Sequence, residues 1–309
     1  MQLPAPVMNP ARSRLPGLQN ADGGWGVLPE GPSATEPTAL AAMALRDAED
    51  PVAARSGARG LDWLEERQRS DGAWPASDQV PMGSWMTSLA VLALADSRRD
   101  RARAVKGAGW LLDQEGRPVS LVTRLFFFIF PRYNVIDLDL ELKGWPWYEN
   151  TFGWVEPTAC ALIALKKLRG QLPEPSARSR IEEGERLILD RVCEGGGWNY
   201  GNSRVYDEEL WPYPDTTALA LLALQDRPDL PTVRSSLDVL DRLVARNQSL
   251  LATSLAILCA RVYGRPVEAY SRRIVERLET APPWIDVRAL ALAALALRED
   301  PAPLALDHA

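Results

Sequence analysis

This chain predicts an all-α fold, a single (α/α)6 toroid of alternating inner and outer helices, on three observations. Six short segments are apolar nearly all round, amphipathic segments separate them, and a glycine-tryptophan unit recurs ahead of several apolar ones. A helix without a polar stripe has to be buried on every side, whereas an amphipathic helix buries one face. The two kinds therefore belong to an inner and an outer layer.

In chain order the inner segments are Thr38–Leu45, Thr87–Leu94, Thr158–Leu165, Thr217–Leu224, Thr253–Ala260 and Val287–Leu295. The outer segments between them are Ala58–Arg67, Ala104–Leu112, Ile181–Val192, Val233–Arg246 and Ala269–Leu278. Successive units recur at about 47 residues, within the range of helix-pair repeats. Closing six pairs into a ring removes the need for capping repeats. The expected organisation is an extended N-terminal strap over 1–17, where Pro4, Pro6, Pro10 and Pro16 discourage an outer helix, then a toroid over 18–299 with insertions at 116–155 and 194–214. A C-terminal tail over 300–309 follows. That leaves eleven full helices plus the strap.

At 309 residues, 46% hydrophobic and 25% charged, the chain has the material for a large core. The 35 Lys and Arg against 41 Asp and Glu give a net charge of −6, and no arginine-rich stripe offsets it, so no nucleic-acid partner is expected. Cys160 and Cys259 lie in Ala/Leu-rich helical stretches, where a thiol is a small buried hydrophobe, and a reducing cytoplasm is expected. The proline-rich start lacks the pattern of a signal peptide.

The recurring units are Gln19-Asn20-Ala21-Asp22-Gly23-Gly24-Trp25, Gln68-Arg69-Ser70-Asp71-Gly72-Ala73-Trp74 and Cys193-Glu194-Gly195-Gly196-Gly197-Trp198. Glycine supplies the left-handed conformation that ends a helix, and tryptophan folds back over the exposed end. The Gln-x-x-Asp-Gly-x-Trp copies, set between alternating helices, resemble the repeat of terpenoid cyclases and protein prenyltransferase β subunits over nearly the whole chain. In that family the repeat ties outer helices together, so the resemblance implies architecture before chemistry.

Inner segments open on acid-x-Thr-Ala: Glu36-Pro37-Thr38-Ala39, Glu156-Pro157-Thr158-Ala159 and Asp215-Thr216-Thr217-Ala218. An acid there is explained by helix capping alone. It is equally explained by a site, because the inner helices of a toroid run parallel and bring their N-termini to one mouth. Asp286 opens the last inner helix, while Trp85 and Leu251 hold the matching places in the second and fifth units. Carboxylates converging above an apolar cavity are kept protonated by desolvation and mutual repulsion, as a general acid requires; they equally suit Mg²⁺ holding a diphosphate.

Both insertions carry aromatic residues to that mouth, among them Trp145, Trp147 and Trp154 in one and Trp198, Trp211 and Tyr213 in the other. Their faces would bind substrate and stabilise a carbocation. The resemblance adds a specific role. In triterpene and class II diterpene cyclases an aspartate two residues before Thr-Ala is the proton donor, and Tyr213-Pro214-Asp215-Thr216-Thr217-Ala218 places Asp215 there, with Glu156 and Glu36 tuning it. Tyr213 and Thr216 replace the flanking aspartates of the fuller motif. A prenyltransferase-type zinc site is not expected, since the sole histidine is His308.

The run Leu125–Phe130, with Arg124 before it and Arg132 after, is far short of the roughly 20 residues of a membrane span. It suits either core packing or a monotopic anchor delivering an insoluble isoprenoid, with Asp137 and Asp139 marking its return to solvent. Three functions follow as expectations: a proton-initiated isoprenoid cyclase needing no cofactor unless the substrate is a diphosphate, a non-catalytic toroid that binds lipid, a partner subunit or a second copy, and a carbohydrate-active (α/α)6 enzyme.

Overall fold

A computed structural model describes residues 9–306, except 98–99, 118–119, 121, 123–124, 127–128, 131–137, 140, 207, 283 and 299–303. Among the described residues twelve α-helices alternate between two layers: α1 (Pro10–Arg14) outside, α2 (Thr35–Leu45) inside, α3 (Pro51–Glu66) outside, α4 (Thr87–Ala95) inside, α5 (Arg101–Asp113) outside and α6 (Val155–Lys167) inside. The alternation continues with α7 (Ser176–Asp190) outside, α8 (Pro214–Ala223) inside, α9 (Pro231–Arg246) outside, α10 (Leu250–Val262) inside, α11 (Glu268–Glu279) outside and α12 (Val287–Ala296) inside. Each inner helix packs on the next, and α12 packs on α2, which closes the ring. The inner helices are buried along nearly their whole length.

The expected strap is helical where it is described. Pro10 occupies the first turn of α1, where a missing N–H is no loss, and a 3-10 turn over Leu15–Leu18 follows. Helix α1 packs on α12, with Ala11 and Leu15 fully buried. It thereby supplies the outer partner of the last inner helix, and the ring has six pairs.

The tryptophan units staple consecutive outer elements. Trp25, Trp74, Trp145 and Trp198 donate their indole N–H to the carbonyls of Leu15, Leu64, Leu111 and Ile188, each at or near the end of the preceding outer element. Their backbone N–H groups donate to Thr38, Thr87, Thr158 and Thr217, the threonines of the inner helices. The first three rings lie against Gly60, Gly107 and Gly184 of the following outer helix, where a Cβ would stand 2.6–2.7 Å from the ring. At the fourth unit Ser236 of the following outer helix accepts from the Gly197 N–H.

The opposite ends of the inner helices are stitched by cations to neighbouring carbonyls. Arg46 donates to Ala93, Lys166 to Ala223 at 2.7 Å and Arg298 to Met43 at 3.0 Å. Arg261 donates to Arg298 in the same sense. Last-turn carbonyls carry the negative end of the helix dipole, so this is where buried cations are stabilised.

The first insertion leaves and returns at one point, since Gly116 N–H donates to the Gly144 carbonyl at 2.7 Å. Buried Arg180 closes its base by donating to Gln114, Lys143 and Gly144 carbonyls while lying over the Trp145 ring. Within it Leu125, Phe126, Ile129 and Phe130 are exposed, as is Val122 before them, so these members of the apolar run do not enter the core. The rest of that run, Arg124, Arg132, Asp137 and His308 lie outside the described residues. No described helix is long and apolar enough to cross a membrane. The second insertion carries a short hairpin, β3 (Arg204–Val205) with β4 (Glu208–Glu209), and another, β1 (Pro75–Ser77) with β2 (Val80–Gly83), precedes α4.

Candidate functional site

The three mouth acids are not helix caps. Helices α2, α6 and α8 are capped by Ala34, Trp154 and Tyr213, with no side-chain cap bond, and Glu36, Glu156 and Asp215 stand two residues past those caps, in the first turn. Capping is performed by other residues: Asp50, Ser249 and Asp286 accept from the N–H groups of Ala53, Ala252 and Arg288. The helix dipole still favours an anion at a first turn. It does not account for the apolar cavity that two of these acids line.

Glu36 and Glu156 face a central cavity of about 500 Å³, part of it open to solvent. Leu40, Leu89, Leu92, Leu219, Leu255 and Leu292 form most of its wall, completed by Ile163 and Cys160. Trp85 and Leu251, which hold the acid's place in the second and fifth units, also line it. Four of the six units thus offer the same position to the cavity. Asp215, in the fourth unit, lies outside the lining and is partly exposed.

The electrostatics of the two cavity-lining glutamates differ in their partners. Burial, chiefly, together with the charge of Glu36 and that of Asp215, pushes the Glu156 carboxyl up to about 7, against a 3.2 Å bond from the Trp147 indole and the distant charge of Arg288. Burial raises Glu36 as well, but Arg288 opposes it with a 3.3 Å ion pair. Arg288 is clasped by Asp286 at 2.7 Å, and that hydrogen bond, with the Glu36 charge, holds the guanidinium above its usual range. Cys160, one turn below Glu156, is raised well above a normal thiol by burial and by the two glutamates. Glu156 is therefore a carboxyl able to carry a proton near neutrality. Its neighbour Glu36 has a cation, the half-buried Arg288, against it.

Aromatic rings form a wall at the rim beside Glu156. Trp147 stacks on Trp154 at 5.0 Å and tilts against Tyr200 at 5.8 Å, which in turn meets Tyr213 at 5.4 Å. Burial raises the Tyr200 hydroxyl, with the charges of Asp215, Glu156 and Tyr213 adding to the effect. Trp147, Trp154 and Tyr213 thus gather where the sequence places them. Trp145 and Trp198, read from sequence as substrate-binding, are buried staples of the repeat, 1% and 0% exposed. Trp211 is 83% exposed beyond the wall.

Two residues of the site escape sequence reading, Arg288 and Cys160, whereas Tyr200 is among the insertion aromatics that the sequence brings to the mouth. Asp286-Val287-Arg288 was a usable signal, an acid and a base at the opening of an inner helix. Trp145 was legible too, because Trp25–Thr38, Trp74–Thr87 and Trp145–Thr158 share a separation of 13 residues.

No model of a known protein family matches the chain, and no curated protein matches it in sequence. Solved structures match over nearly its whole length. The chain is similar to a type II terpene cyclase, MstE from Scytonema, at 15% identity with a TM-score of 0.58, covering 94% of this chain and 95% of that one. It is similar to an alpha-amylase from Clostridium perfringens at 12% identity and a TM-score of 0.66, covering 96% and 99%. It is also similar to an alpha-1,6-mannanase of Salegentibacter at 11% identity and 0.58, covering 94% and 97%. At these identities the likeness establishes the α/α toroid and leaves the chemistry to the site.

Proposed function

We propose that the toroid processes an isoprenoid lipid, holding its hydrocarbon chain in the leucine-lined cavity and starting cyclisation by proton transfer from Glu156. The observation that carries this reading is a carboxyl pushed up to about 7 at the mouth of an apolar cavity, with indole faces beside it. A general acid works best when its pKa lies near the working pH. The Glu156 O–H bond breaks as a C–H bond forms on an alkene carbon, leaving a tertiary cation on its neighbour. The π electrons of the next double bond close a ring, and loss of a proton from the final cation restores an alkene, so the net change is an isomerisation. Indole and phenol faces at the rim stabilise a cation by roughly 0.5–2 kcal/mol each. The reading requires no cofactor, and Mg²⁺ enters only with a diphosphate substrate. Asp215, the proton donor implied by the resemblance, serves here by its charge, as a neighbour that keeps Glu156 protonated.

The wall disfavours a carbohydrate. A sugar brings hydroxyls that each need a partner once desolvated, and the described lining offers only two carboxyl groups and one indole among its polar side chains. The exposed Leu125, Phe126, Ile129 and Phe130 fit delivery of the substrate from a lipid interface. Co-flotation with liposomes, weakened by Phe126→Asp, checks that part.

Incubation with squalene, with linear prenyl alcohols and with prenyl diphosphates, followed by Glu156→Gln, tests the whole. Product from at least one substrate is expected, with a loss of about 10²-fold or more in the variant. Absence of product from every substrate refutes the enzymatic reading, and turnover unaffected by Glu156→Gln refutes the acid.

A further inference from the structure

The cavity has a floor as well as a mouth, and a separate piece of chain forms it. Glu36 and Glu156 stand in the first turns of α2 and α6, at the N-terminal end of the inner layer. Gln225 stands just beyond the C-cap of α8, at the opposite end. A ten-residue helix rises about 15 Å, so these positions are separated by roughly the depth of the ring. Gln225 is buried, and its amide makes two bonds to one segment: Nε2 donates to the Leu304 carbonyl at 3.0 Å, and Oε1 accepts from the Leu306 N–H at 2.9 Å. Nε2 also donates to Leu222 at 2.6 Å, which fixes the orientation of the amide. Leu304, held this way, is 3% exposed and lines the same cavity as the two glutamates.

We infer that Leu304 is a specificity-determining residue, a movable-length stop that sets how long a hydrocarbon chain the cavity accepts. The inference rests on the proposed use of the cavity for an apolar chain. Leu304 does not belong to an inner helix. Its backbone is held by a peptide clasp and only its side chain joins the core, so a change in its size leaves the contacts of the six inner helices on one another in place. A smaller residue deepens the cavity from below, and a larger one shortens it, while the acid and the aromatic wall stay in place at the other end.

The test is binding rather than turnover. Affinities for geraniol, farnesol and geranylgeraniol are measured on the full chain for the wild type, Leu304→Ala, Leu304→Trp and Gln225→Ala. Leu304→Ala is expected to raise the ratio of geranylgeraniol to farnesol affinity by about tenfold, and Leu304→Trp to lower it by about as much, since each buried methylene is worth about fourfold in affinity. Gln225→Ala, which releases the clasp without altering the lining, is expected to raise the ratio as Leu304→Ala does. It also serves if the tryptophan variant fails to fold. A wild type that binds these alcohols with ratios unmoved by Leu304→Ala and Gln225→Ala overturns this inference and leaves the proposed function standing. A wild type that binds none of them overturns both.

Discussion

Glu156 shows how position converts an ordinary side chain into a proton store. Its folded carboxyl titrates at about 7 against an ordinary 4.5, so between those values the folded chain keeps a proton that the unfolded chain has released. Stability consequently falls as pH rises from about 4.5 to about 7, and stays lower above that. The difference is on the order of 3 kcal/mol. Glu156→Gln should therefore raise the thermal midpoint at pH 8 and leave it nearly unchanged at pH 4, as differential scanning calorimetry at the two pH values would show. Turnover should decline as pH rises through about 7, because the acid must be protonated. Asp215→Asn removes a charge that raises Glu156, so the declining limb of the pH–rate profile should move to lower pH while the limiting rate at low pH is largely kept. A collapse of that limiting rate would instead return the proton donor's role to Asp215.

At the scale of elements, the outer helices are joined by tryptophans that reach backwards to a carbonyl and forwards onto a glycine. Gly107 lies under Trp74, where a Cβ would stand 2.6 Å from the ring and 2.8 Å from Val91 Cγ2. Neither neighbour is free to withdraw, since Trp74 is fully buried and held by its bonds to Leu64 and Thr87. Gly107→Ala is thus expected to destabilise by about 1–3 kcal/mol despite the better helix propensity of alanine, measured by urea unfolding. Gly109, with nothing near its missing Cβ, is the control. Gly109→Ala should stabilise by up to about 1 kcal/mol.

Closure decides the behaviour of the molecule as a whole. A linear array of helix pairs exposes two terminal faces, and its cooperativity weakens with length. Here α12 lies on α2, and Arg298 is the stitch across the join, donating to the carbonyls of Met43 at 3.0 Å and Arg46 at 2.9 Å. Arg298→Met keeps much of the side-chain volume and removes both charged bonds across the join, leaving Met43 O with the Arg46 N–H and Arg46 O with Arg12 alone. We expect a loss of about 1–3 kcal/mol. We also expect faster hydrogen exchange in α12, α1 and α2 than in α6, because the seam holds the first and last elements of the chain. Uniform acceleration across all inner helices would argue that the seam has no special weight.

The two layers, their alternation and the sixfold repeat are legible in the chain alone, because an apolar segment's periodicity is a local property that one window contains. The acids at the inner helix starts are legible for the same reason, as is the aromatic character of the rim. How firmly Glu156 holds a proton is not local. It depends on Arg288 meeting Glu36 across 252 residues of sequence, and on the desolvation of Glu156 by walls from all the inner helices. Trp145 reads as a binding residue because it sits in an aromatic-rich insertion, yet packing makes it the same staple as Trp25 and Trp74. The floor at Leu304 is likewise a matter of a tail meeting Gln225 79 residues earlier. Helix and layer follow from the order of side chains along a few turns, whereas burial and charge at a site are sums over groups that only the closed ring brings together.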